Sequence, residues 1–99
     1  MVLALLLTAP VAAESQAEKV YRIAFLGLSS ATDYAAGLQA FRQGLRRLGY
    51  EEGRNISIEY RWAELRDERL PTLATELVRL NPDVLVTHAT PGIRAVQQA

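Results

Sequence analysis

Val20-Tyr21-Arg22-Ile23-Ala24-Phe25-Leu26-Gly27 decides the fold of this chain. It is a short apolar run rich in strand formers, closed by a glycine. A small polar loop, Leu28–Asp33, follows it and carries Ser29, Ser30 and Thr32. Leu38, Phe41, Leu45 and Leu48 then recur at helical spacing, with Arg42, Arg46 and Arg47 on or near the wet side and Gly49 as a left-handed stop. A strand, a loop and an amphipathic helix in that order predict the first half of an α/β unit.

The rest of the chain repeats the pattern. Ile56, Ile58 and Tyr60 alternate with Ser57, Glu59 and Arg61, which predicts a strand with one face in water, at the edge of a sheet. Leu70, Leu73, Leu77 and Leu80 mark a second helix, with Pro71 in its first turn and Asn81-Pro82 as its stop. Asp83-Val84-Leu85-Val86-Thr87 is nearly all apolar and reads as a strand covered on both faces. Thr90-Pro91 then opens a third helix, with Thr90 at the N-cap and Pro91 at the first helical position. Right-handed crossovers place the first strand between the other two. The expected fold class is therefore α/β, a parallel three-stranded sheet of order 2-1-3 with flanking helices.

The first residues read differently. Val2–Ala13 is apolar apart from Thr8, and it is shorter than the ~20 residues needed to span a bilayer as a helix. It fits the core of an export signal, with Val11 and Ala13 suited to a cleavage site before Glu14, or Ser15 and Ala17 to a later one. No Lys or Arg precedes the run, so the usual positive start of such a signal is missing. The expected organisation is a signal over 1–13, a linker over 14–19 and an α/β unit over 20–99. The product would be soluble outside the cytoplasm, with no membrane insertion of the mature chain. The third helix reaches Gln97-Gln98-Ala99 without a stop signal, so the chain reads as the beginning of a longer protein.

Composition narrows the chemistry. Lys plus Arg and Asp plus Glu balance at 11 each among 99 residues, which removes the electrostatic case for nucleic acid as a partner. There is no cysteine, hence no disulfide, thiolate nucleophile or cysteine–zinc site. The turn Gly27-Leu28-Ser29-Ser30-Ala31 lacks the G-x-G-x-x-G dinucleotide pattern, and no P-loop or G-x-S-x-G elbow occurs. No catalytic residue, metal site or cofactor is expected.

Ligands of open parallel sheets bind outside the carboxyl ends of the strands. That edge gathers Ser29 and Ser30 in the first loop, Tyr34 beyond it, Trp62 at the end of the second strand, and His88 to Gly92 after the third. Free N–H groups at the helix starts there favour a carboxylate or phosphate. Each residue also has a structural reading. The serines serve as loop and cap residues, Thr90 as a cap, and Trp62 and Tyr34 as packing over the sheet edge. His88, the sole histidine, reads as a structural strand-end residue. Glu59, Glu64, Asp67 and Glu68 form no spaced carboxylate pair.

Val20–Gly27, Phe41–Tyr60 (F-R-Q-G-L-R-R-L-G-Y-E-E-G-R-N-I-S-I-E-Y), Arg61–Glu64 (R-W-A-E) and Leu70–Thr87 together resemble one family. It is the ABC transporter substrate-binding proteins related to the tryptophan/tyrosine-type periplasmic binders. The resemblance implies the start of the first of two lobes of the type I periplasmic-binding kind, joined by a hinge. It also implies a small-molecule ligand, of which the family suggests an amino acid or related carboxylate, and ABC permease subunits as partners. Carried over, ligand contacts fall on Ser29, Ser30, Thr90 and Pro91. The chain departs from the family where many relatives have a glycine before the Thr-Pro pair, since Ala89 stands there, and Gly92 stands where alanine is common. Two other readings compete: a flavodoxin-like cytoplasmic enzyme or nucleotide-binding domain, and the ligand-sensing domain of a receptor.

Overall fold

The computed structural model describes residues 19–99. The expected export signal over 1–13, and the linker up to residue 18, lie outside the described residues. The elements run β1 (Tyr21–Gly27), α1 (Ala35–Arg47), β2 (Ile56–Trp62), a short 3₁₀ turn (Asp67–Arg69), α2 (Leu70–Arg79), β3 (Val84–Thr87) and α3 (Ala89–Gln98). The sheet is parallel with order β2-β1-β3, as the right-handed crossover rule requires.

Register divides the side chains between two faces. Ile23 pairs with Ile58 and Val84, and Phe25 with Tyr60 and Val86, on the face toward α1. Ala24 pairs with Glu59 and Leu85, and Leu26 with Arg61 and Thr87, on the opposite face. There α2 and α3 complete an aliphatic core of Ala24, Leu26, Ala63, Leu70, Leu73, Ala74, Leu77 and Ala95. The small residues Ala24 and Ala74, both with no exposed surface, let α2 approach the sheet closely. The α1 face is aromatic instead. Phe25, 2% exposed, lies 5.6 Å from Phe41, 5.9 Å from Tyr60 and 5.6 Å from Trp62 between ring centroids.

The second helix follows its apolar stripe, with Pro71 in the first turn and Leu80 capping the end. Asn81 follows at φ 53°, a conformation that asparagine tolerates. Three expectations are corrected. Leu48, the fourth residue of the α1 stripe, is 75% exposed, because the helix ends at Arg47 and Leu48 is already its C-cap. β3 is not covered on both faces: it is an outer strand of the described sheet, and Val84 is 52% exposed. Thr90 is not the N-cap of the third helix. The chain runs extended through His88, turns at Ala89 with φ 63°, and leaves Thr90 and Pro91 at the second and third positions of α3.

Candidate functional site

The carboxyl end of the sheet is built by backbone bonds that continue past the strands. Beyond the β1–β2 ladder, Ala63 N–H donates to Gly27 O at 2.9 Å, Glu64 N–H to Ser29 O at 2.8 Å, and Leu65 N–H to Leu28 O at 2.7 Å. The loop after β2 thus clamps the serine loop after β1. That loop is also closed on itself. Ser30 Oγ accepts the Asp33 N–H at 3.0 Å, and Ser30 O accepts the Tyr34 N–H at 2.9 Å. Ser30 therefore uses its oxygen as a turn residue, while its hydroxyl proton stays free to donate outward.

The aromatic side chains come together at this edge. Tyr34 and Trp62 have centroids 6.3 Å apart, and Tyr34 stacks on His88 at 4.7 Å with planes 13° apart. Trp62 lies across Gly27, its register partner, so closely that a methyl group on residue 27 would overlap the indole. Tyr60 lies nearly parallel beside the indole, with centroids 6.2 Å apart and planes 6° apart. Tyr60 is fixed in turn by Arg42, whose Nη2 donates to the phenol oxygen at 3.0 Å. Burial pushes the Tyr60 phenol up, against the downward pull of that Arg42 bond. Arg42 is held more firmly protonated, first by its bond to Tyr60.

On the far side, Thr87 Oγ1 donates to Leu26 O at 3.0 Å and ties the end of β3 to β1. Gly92 is buried against this hydroxyl, where a Cβ would clash with it. The glycine at position 92 therefore has a packing reason. Thr90 and Pro91 are exposed on the first turn of α3. The structure thus brings Tyr34, Trp62 and His88 into one aromatic group. It leaves Ser29 and Ser30 on the clamped loop and Thr90-Pro91 on a separate turn of the same edge.

By sequence His88 reads as a structural strand-end residue. In the fold its Nε2 is buried and has no hydrogen-bond partner, while its ring is covered by Tyr34. The signal was faint, since Tyr34 and His88 are distant in sequence and only the sheet order joins them. Among the described residues no cluster of three or more His, Cys, Asp or Glu could hold a metal ion. No described helix is long and apolar enough to cross a membrane. The edge offers hydroxyls, amide donors and aromatic surface, which is the chemistry of recognition. Two clefts lie away from this edge: one of about 240 Å³ beside the Arg42–Glu52 ion pair, and an apolar trough of about 330 Å³ between Phe41, Leu45 and Val84 at the opposite end of the strands.

No protein-family description matches the chain, and no curated protein matches it. Solved structures do. A conserved domain protein from Vibrio cholerae O1 biovar El Tor N16961 superposes with a TM-score of 0.75 and 33% identity, over 82% of this chain and 27% of that one. The ligand-free, open form of a substrate-binding protein with adhesive properties from Clostridium difficile superposes with a TM-score of 0.73 and 22% identity, over 81% of this chain and 27% of that one. This chain has a solute-binding-protein-like fold and spans about a quarter of the length of these two structures.

Proposed function

We propose that the chain is the opening part of the first lobe of an exported, non-enzymatic solute-binding protein serving an ABC importer. Its ligand would be a small molecule, an amino acid or related carboxylate, held between two lobes and passed to a permease. The observation that carries this reading is the superposition on a substrate-binding protein over four-fifths of the chain.

The edge geometry fits such a role. The Ser29–Ser30 loop is held by backbone bonds from Glu64 and Leu65, so its hydroxyls are placed before any ligand arrives. The start of α3 has no side-chain cap, so its backbone N–H groups, to which Pro91 adds none, offer a favourable seat for a carboxylate. Tyr34 and Trp62 would supply an apolar wall. Binding would then favour a closed arrangement of the lobes only by its greater affinity for that arrangement.

The test is calorimetric titration of the full-length mature protein with each of the twenty standard amino acids, together with fractionation of the producing cells. The reading expects one or more amino acids to bind, and the protein to appear outside the cytoplasm. A protein retained in the cytoplasm that binds none of them would overturn it.

A further inference from the structure

Among the described residues, His88 Nε2 is the one buried side-chain nitrogen or oxygen with no hydrogen-bond partner. Such an atom in a native fold calls for a reason, because its loss of water is uncompensated. It belongs to the residue just past the carboxyl end of β3, on the edge that also carries the serine loop. Aromatic surface surrounds its ring. Tyr34 stacks on it at 4.7 Å between centroids, and Phe25 lies 6.3 Å away.

The ring that covers this nitrogen is lightly held. The Tyr34 backbone is fixed, since its N–H donates to Ser30 O and its O accepts the Leu38 N–H, both at 2.9 Å. Its side chain makes ring contacts only, to Phe25, Trp62 and His88. It lies over Gly37, one turn along α1, where a methyl group would overlap it. A glycine inside a helix is destabilising relative to alanine, so the room for this ring carries a cost. The stack itself returns little net, because leaving Nε2 unpaired costs about as much as an aromatic pair gains. The Tyr34 ring can therefore turn aside without breaking a hydrogen bond.

The position of His88 sets what the uncovered nitrogen would meet. His88 is the N-cap residue of α3, and no side chain caps that helix. An acceptor bonded to Nε2 lies within one imidazole's reach of the helix start, where negative charge is favoured. A neutral imidazole with its proton on Nε2 donates to such an acceptor.

We propose that His88 is a ligand-binding residue: a carboxylate entering the edge turns the Tyr34 ring aside and accepts a hydrogen bond from Nε2. This deepens the solute-binding reading given above and rests on it. It moves His88 from strand-end packing to recognition.

The experiment compares full-length mature wild type with His88→Phe, using whichever of the twenty standard amino acids binds wild type. Phenylalanine keeps a ring against Tyr34 and removes the nitrogen. His88→Phe should unfold at the same or higher urea, yet bind roughly ten- to a hundredfold more weakly by calorimetry, the scale of a hydrogen bond to a charged group. In wild type, heteronuclear NMR of the imidazole should show the His88 Nε2 resonance moving as the amino acid is added. Unchanged affinity in His88→Phe, or an Nε2 resonance that the amino acid does not move, overturns this proposal and leaves the solute-binding reading standing. Should the variant not fold, the wild-type resonance decides alone. A wild type that binds no amino acid removes the solute-binding reading, and this proposal with it.

Discussion

The imidazole of His88 stacks on the ring of Tyr34, with centroids 4.7 Å apart and planes 13° apart. This contact joins the start of α1 to the end of β3 across the central strand. Aromatic pairs of such geometry couple by about 0.5–1.5 kcal/mol beyond their area burial. A double-mutant cycle with Tyr34→Leu and His88→Leu should return a coupling in that range from urea unfolding. Strict additivity of the two substitutions would show that the stack contributes nothing.

Gly27 lies beneath the Trp62 indole with no room for a methyl group. Gly27→Ala should therefore displace the ring and destabilise the fold by about 1–3 kcal/mol, the usual cost of overpacking. Trp62 fluorescence reports the displacement directly. A variant with unchanged emission and unchanged stability would contradict the contact.

Ala89 makes its left-handed turn at φ 63° with a Cβ in place. Ala89→Gly removes that clash and should stabilise the protein by about 1 kcal/mol, measured as the urea midpoint. Glycine in an ordinary conformation would instead destabilise by roughly 0.5–1 kcal/mol, so the sign of the change decides whether the turn is strained.

Asp83 ties the start of β3 to β1. Its Oδ2 accepts the Arg22 N–H at 2.8 Å, and Lys19 Nζ stands 3.4 Å from Oδ1. The Arg22 amide, foremost, holds the Asp83 carboxyl below the usual aspartate value. The folded state thus prefers the ionised form. The resulting stability is present above the ordinary aspartate pKa of about 3.9 and is lost as pH falls through the lower folded value. Asp83→Asn should flatten the loss of stability below about pH 4 while costing stability at pH 7. Parallel pH profiles for the two proteins would exclude this role.

Much of the fold was legible because α/β order is written in local periodicity. The alternation of Ile56, Ile58 and Tyr60 announced an outer strand, and Leu70, Leu73 and Leu77 are buried where their spacing places them. Pro71 fell in the first turn for want of an amide donor. The errors came where local pattern meets a tertiary limit. Leu48 keeps the helical spacing, but the helix stops one residue before it. The apolar run of β3 implied cover on both faces, yet cover depends on which elements flank the strand. Thr90-Pro91 has the composition of a helix start, but Ala89 takes the turn first.

Strand order and the parallel sense of the sheet followed from the sequence alone, because periodicity and crossover handedness act between neighbours along the chain. Only the tertiary structure decided that Tyr34 meets His88, that Trp62 rests on Gly27, and that the Glu64–Leu65 turn clamps the serine loop. These contacts link residues on different crossovers. Their geometry depends on how sheet and helices pack in three dimensions, which no one-dimensional pattern encodes.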